Sequence, residues 1–323
     1  MRALWLTTDR SAAVLQYYAA LRRACEVEMA AAGWEWDVLI RPAPNPYGKW
    51  IKAIEHDPVA CPPLLTGPQL AAYDFVFVDN MGAFMHESWA SRRGPWATLL
   101  DDTHYPIQMR RFLKALEWGA ELWPMHQHPF RRRFPGVAYR WLPFAADVFT
   151  FRPWREWSAK KPGVLLSGVI DRRWYPVRFA AQQQLRRKEW AHTILRPREV
   201  ADGSTWPRGV DYAAELSRYT MALTCGSLNR HTLLKTFEIP ACGTLMLSDW
   251  TPEMEELGFR DGVNFVRVNP TDRGFRKQVR RMVRNPDQIE DIAAAGLELV
   301  KSRHTIQRRA ALWMEYVESA VRG

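Results

Sequence analysis

Arg230 to Asp249 reads R-H-T-L-L-K-T-F-E-I-P-A-C-G-T-L-M-L-S-D, and this stretch decides the fold. His231 to Ile239 carries apolar residues at helical spacing, Pro240 to Gly243 makes a turn, and Thr244 to Leu247 is a short apolar run of the kind that forms a fully buried strand. Helix, tight turn and buried strand in this order are the repeating piece of a parallel sheet covered by helices. Glu238 is the one acid in the helical part and is followed at once by Ile-Pro-Ala-Cys-Gly. A carboxylate in that place can offer two acceptor oxygens to the hydroxyls of a ligand, and Gly243 would let the ligand approach the backbone. The plain alternative is that Glu238 only caps or ion-pairs its own helix.

The same rhythm extends to both ends of the chain. On the N-terminal side it predicts strands at Ala3–Thr7, Trp34–Ile40, Tyr73–Val78, Trp96–Leu100, Glu121–Met125 and Tyr139–Leu142. Helices are expected at Ser11–Ala32, with Ser11 as N-cap and Gly33 past the end, and at Ile107–Gly119. Residues 41–70 form a loop-heavy insertion with a short helix near Lys49–His56, and His126–Phe134 a loop. The pattern restarts with strands at Gly163–Ser167, Thr193–Leu195, Thr220–Thr224 and Asn264–Val268. Helices are expected at Pro176–Arg187, Asp211–Arg218, Thr271–Arg284, Pro286–Lys301 and Thr305–Val321. These elements predict two doubly wound Rossmann-like domains facing a central cleft, with ligands beyond the carboxyl ends of the strands. The expected division is 1–147, 148–304 and a terminal helix, 305–323, crossing back to the first domain.

With 323 residues, 47% hydrophobic and 25% charged, the chain can bury two ordinary cores. Sixteen tryptophans are far above ordinary usage and belong to cores and domain interfaces, or stack on a base or sugar ring. Apolar runs stay well short of the ~18–20 residues of a membrane span, and M-R-A-L-W-L-T-T-D opens a strand rather than a signal peptide. Cys25, Cys61, Cys225 and Cys242 have neither C-x-x-C nor metal-ligand spacing, so they read as reduced thiols of a cytoplasmic protein, expected to be a monomer. The net charge of +10 is lopsided: residues 1–150 hold 16 basic and 15 acidic side chains, whereas 151–323 hold 29 and 20. Such an excess suggests an anionic partner: nucleic acid, double-stranded DNA among the candidates, an anionic polymer or a membrane surface.

Residues 230–268 resemble the donor half of GT-B glycosyltransferases of the group-1 and CgeB-like kind. The resemblance rests on Phe237-Glu238, the Ala241-Cys242-Gly243 turn, the strand after it, and T-P-E-M-E-E-L-G-F-R-D-G-V-N-F-V from Thr251. Trp141 to Asp147, W-L-P-F-A-A-D, is similar to the interdomain crossover of that fold, and the final helix to its terminal helix. The resemblance covers 140–323 closely and the first domain only by rhythm. It implies a nucleotide-sugar donor, a UDP-sugar first, with Glu238 on the ribose hydroxyls and the base near the loop Pro197–Gly209. It places basic residues on the diphosphate after Gly168, at Arg172 or Arg173, and at Lys235. Many members carry a second glutamate eight positions before Glu238, where this chain has Arg230, and the glycine-rich loop after their first strand is Thr7-Thr8-Asp9-Arg10. No Asp-x-Asp tripeptide occurs, so no obligatory metal is implied.

Activation of the acceptor falls to strand ends of the first domain. Asp101, Asp102 and His104 follow the strand at 96–100, Asp9 follows the first strand, and Asp79 the third. Arg131, Arg132 and Arg133, interleaved with Phe130 and Phe134, and Arg110 and Arg111 on the preceding helix are the expected contacts to an anionic acceptor. A further basic run, Arg273 to Arg284, is either a solvated face or a phosphate-tracking stripe. The preferred acceptor is a hydroxymethylated base in DNA, by analogy with phage DNA glucosyltransferases. Competing readings are a cell-surface or spore glycan acceptor, a non-catalytic nucleic-acid-binding module, and an epimerase or phosphorylase on the same fold.

Overall fold

The computed structural model describes residues 1–9, 13–42, 65, 67–79, 87–101, 106–195 and 209–323. The expected helix near Lys49–His56, the Ser11 cap and the loop 196–208 lie outside these residues. The chain divides into two compact units, Met1–Pro143 with Gln307–Gly323, and Phe144–Ile306.

The first unit contains β1 (Arg2–Asp9), α1 (Ala13–Ala31), β2 (Glu35–Pro42), α2 (Gly67–Leu70), β3 (Phe75–Val78), β4 (Trp96–Leu100), α3 (Pro106–Glu117), β5 (Glu121–Pro124) and α4 (Gln127–Arg133). Its five strands are parallel in the order β2-β1-β3-β4-β5. The alternation of a strand sends Trp5, Phe75, Phe77 and Trp123 to one face and Leu4, Leu6, Val76, Val78 and Leu122 to the other. The aromatic face is closed by the C-terminal helix α11 (Ile306–Arg322). Trp313 of that helix is fully buried, stacked on Trp5 at 5.5 Å between centroids and edge-on to Phe77 at 5.5 Å.

The second unit contains β6 (Lys161–Gly168), α5 (Pro176–Leu185), β7 (Ala191–Leu195), α6 (Gly209–Ser217), β8 (Tyr219–Leu223), α7 (Lys235–Ala241), β9 (Leu245–Ser248), α8 (Pro252–Glu256), β10 (Val266–Arg267), α9 (Phe275–Arg284) and α10 (Glu290–Arg303). Its parallel order is β7-β6-β8-β9-β10, the same winding as the first unit. The point where the winding reverses lies between β1 and β3 in one unit and between β6 and β8 in the other. Ligand sites of doubly wound sheets form at the carboxyl ends beside that point. Lys160, buried just before β6, donates to Ser217 O, Cys242 O and Thr244 Oγ1 at 2.9–3.1 Å and ties the ends of α6 and α7 to the sheet.

Several local expectations shift. Pro240 does not break the helix of the deciding stretch. It sits inside α7, which is under two turns long, and the Cys242 and Gly243 amides bond back to Glu238 O and Pro240 O to close the helix end. Residues 126–134, expected as a loop, contain the helix α4, because Phe130 and Phe134 fall one turn apart and pack on each other inside. Tyr139–Leu142 is no strand, although Arg140 and Leu142 donate to the backbone of β5. Asp211 lies in the first turn of α6 rather than at its cap. Cys25, Cys225 and Cys242 are buried free thiols. Among the described residues no helix is long and apolar enough to cross a membrane.

Candidate functional site

The carboxyl end of β6 gathers a polar cluster within the second unit. Gly168 ends the strand at φ +100°, and a Cβ there would lie 2.9 Å from both Arg178 Nη1 and Lys235 Nζ. Only glycine adopts that backbone cheaply and leaves room for two cations to converge on one turn. Lys235, at the first turn of α7, donates to Ser167 O at 2.8 Å and Ser167 Oγ at 2.7 Å, and its ammonium lies 5.0 Å from the centre of the Tyr212 ring. Arg178 is buried on α5, donates from Nη1 to Val169 O at 2.9 Å and stacks on Tyr175. The Tyr212 hydroxyl is 2.7 Å from Ser167 Oγ; burial, and then the nearby Glu238, push its pKa up.

Glu238 lies on the buried side of α7, one turn beyond Lys235. No described residue donates a hydrogen bond to its carboxylate. Burial raises its pKa to about 7, with Lys235 pulling in the opposite direction. A buried acceptor without a donor costs stability, and two converging cations repel, so the cluster is arranged for something not of the chain.

The loops around it are held firmly. In the β8–α7 connection Ser227 and Arg230 both adopt positive φ, at 54° and 53°. Gly226 N–H donates to Asp249 at 2.8 Å, and Leu228 N–H donates to Trp174 O, joining this loop to the one after β6. The Asp249 carboxyl is raised by burial, partly offset by that Gly226 amide. Fully buried Glu253 accepts from the Thr232 amide and hydroxyl at 2.8 and 2.9 Å, fixing the segment that leads into α7.

Of the residues singled out from the sequence, Glu238, Lys235 and Gly168 come together here. Arg172 and Arg173 do not: both are exposed, and Arg173 lies over the Trp174 ring. The arginine beside Gly168 is Arg178, which sequence reasoning missed. Its signal was present: Arg178, Ala181 and Leu185 form the buried stripe of α5, and an arginine on a core stripe calls for a reason. Arg230 is exposed in its turn. Gly243 does not open onto a ligand. At φ +61° it closes α7, and Pro153 lies 3.3 Å from where its Cβ would be.

In the first unit, Asp101 stands at the carboxyl end of β4. Its Oδ2 accepts from the Tyr18 hydroxyl at 3.1 Å, and its Oδ1 is 3.4 Å from Nε2 of buried His126. Asp79 accepts from the Trp5 indole at 2.8 Å. Asp102, His104 and the Asp9 side chain lie outside the described residues. Arg131, Arg132 and Arg133 are exposed on α4, with Arg131 over the Tyr139 ring, and Arg110 is exposed on α3. Arg111, expected as a surface contact, is buried, because it falls on the inward stripe of α3 beside Phe112 and Ala115.

Residues 171–315 match the model of the family described as glycosyl transferase-like. No curated protein matches the chain. Among solved structures, sucrose-phosphate synthase (tll1590) from Thermosynechococcus elongatus superposes with TM-score 0.66 at 14% identity, covering 99% of each chain. HepE (Alr3699) from Anabaena, solved with UDP-glucose, gives 0.65 at 11% identity, over 99% of this chain and 100% of that one. An alpha-glucosyltransferase in complex with UDP and a 13-mer DNA containing a HMU base gives 0.61 at 8% identity and 99% of each chain. At such identities the structures establish the fold, and the family match covers most of the second unit. On that match and that fold, the chain has the GT-B fold of these structures, and its residues 171–315 are similar to the glycosyl transferase-like family.

Proposed function

We propose that the chain transfers a sugar from a nucleoside-diphosphate sugar, a UDP-sugar in the first instance, to an acceptor hydroxyl. The carrying observation is the buried Glu238 carboxylate without a donor, one helical turn from Lys235. Ribose hydroxyls would supply the donors that Glu238 lacks. The diphosphate would lie against Lys235 and Arg178 at Gly168, where the two cations offset the charge that develops on the leaving group. The solved structures with UDP-glucose or UDP on this fold support that choice of donor. Asp101, braced by Tyr18 and His126, is the base we assign to the acceptor hydroxyl.

For the acceptor we favour a hydroxymethylated base in double-stranded DNA. The exposed Arg131, Arg132 and Arg133 side by side on α4, and the similar fold of an enzyme held in complex with modified DNA, support this reading. A glycan hydroxyl is the alternative, and glucosylation assays on the two acceptors separate them. The donor site is tested by thermal unfolding with UDP, GDP, ADP, CMP and dTDP. One nucleotide at ~100 times its dissociation constant should add about 2.7 kcal/mol to the wild type and far less to Glu238→Ala. Equal shifts in both proteins, or none in either, would remove Glu238 from the donor site.

A further inference from the structure

We infer that the outward face of α9 is a docking surface for the phosphate backbone of a nucleic-acid duplex. Arg273, Arg276, Lys277, Arg280, Arg281 and Arg284 are all exposed and recur every three or four residues, opposite buried Phe275, Val279 and Met282. No acidic residue interrupts the run from Arg273 to Arg284. Among the described residues none of the six cations is ion-paired. Like charges three and four apart weaken a helix, so the sequence keeps a repulsion that folding does not need and an anion would relieve. Asp272, the nearest acid in sequence before the run, is occupied by the Gly274 amide at 2.8 Å. Gln184 of α5 donates to Pro270 O and Asp272 O, which ties the end of that helix, with exposed Arg186 and Arg187 just beyond it, to the segment leading into α9.

The chemistry favours a duplex over a membrane. Five of the six cations are arginines, whose planar forks grip phosphate oxygens in pairs. From Arg276 to Arg284 the run spans about 12 Å of helix, a length over which a duplex presents roughly seven phosphates. No large hydrophobic side chain is exposed on α9, whereas a helix lying in a bilayer surface needs an apolar face to bury there. The surface belongs to the second unit and does not depend on which acceptor takes the sugar.

The test is the salt dependence of binding of the full chain to a fluorescent unmodified duplex. The Arg276→Gln, Lys277→Gln, Arg280→Gln, Arg281→Gln variant should lower the slope of log affinity against log salt by about three to four. Its nucleotide-induced thermal shift should stay that of the wild type. An Arg280→Gln, Arg281→Gln pair, with less disturbance of the helix, should lower the slope by about two. An unchanged slope in both variants overturns the inference, as does affinity for phosphatidylserine vesicles with none for the duplex. If the slope falls only on replacing Arg131, Arg132 and Arg133 by glutamine, the duplex docks on α4; the acceptor reading then stands and this inference fails.

Discussion

Two sheets wound in the same strand order have been furnished for opposite purposes. In the first unit the rings of Trp5, Phe75, Phe77, Trp123 and Trp313 fill one face of the sheet, and the strand-end acid Asp79 is taken up by an indole N–H. In the second unit Leu166, Leu223 and Leu247 are aliphatic where the first unit stacks rings, and the carboxyl edge holds Glu238 without a donor and two cations over one glycine. Topology is therefore indifferent to function. What marks the carboxyl edge of the second unit is electrostatic cost left standing, in contrast to a first-unit core whose contacts reduce cost.

The sharpest way to break this comparison is at the aromatic core. Trp313→Ala should lower the stability of the first unit by about 3–5 kcal/mol, read by denaturant unfolding. Trp313→Phe should cost much less, because a ring remains and the buried indole N–H has no acceptor to lose. If alanine and phenylalanine cost the same, the rings around Trp313 are not what holds α11 to the sheet.

Glu238 should answer in the opposite direction. Its carboxyl ordinarily titrates near 4.5 and is raised by burial to about 7. A carboxyl raised by folding favours the folded state while protonated. Its full stability is therefore present below about pH 4.5 and declines between 4.5 and 7, and above 7 the penalty is constant. Glu238→Gln should accordingly be more stable than wild type at pH 8 by on the order of 1–3 kcal/mol, with the difference vanishing near pH 4.5. Chemical denaturation at the two pH values reads this directly. A glutamine variant less stable at pH 8 would mean that the carboxylate is satisfied within the fold.

The sequence carried the sheets and the place of Glu238 at the end of a short helix because both are local. Apolar runs at period two and a glutamate before a Pro-Ala-Cys-Gly turn are visible within twenty residues. The arginine beside Gly168 is not the one expected, because neighbours in sequence need not be neighbours in space. Arg172 and Arg173 follow Gly168 by four and five residues, yet the chain must travel to α5 before an arginine turns back onto that glycine. Pro240 misled in the same way: a proline stops a long helix, but α7 is so short that few of its amides have a partner inside it anyway. The pairing of Asp101 with His126 and Tyr18 links residues far apart in the chain, and no local pattern announces it.

Gly168 offers the finest test, because it separates the site from the fold. Its φ of +100° strains any side chain, and a methyl would sit 2.9 Å from the Arg178 and Lys235 nitrogens. Both atoms are ends of flexible side chains, so Gly168→Ala should fold, at a cost of about 1–3 kcal/mol for the backbone. The methyl instead pushes the cations apart, and the diphosphate loses a contact that exists only while they converge. UDP affinity should fall about tenfold, or about 1.4 kcal/mol, while uridine, which lacks the diphosphate, should bind as to wild type. Equal losses for UDP and uridine would mean that the glycine shapes the whole loop after β6. An unchanged UDP affinity would mean that the phosphates lie elsewhere.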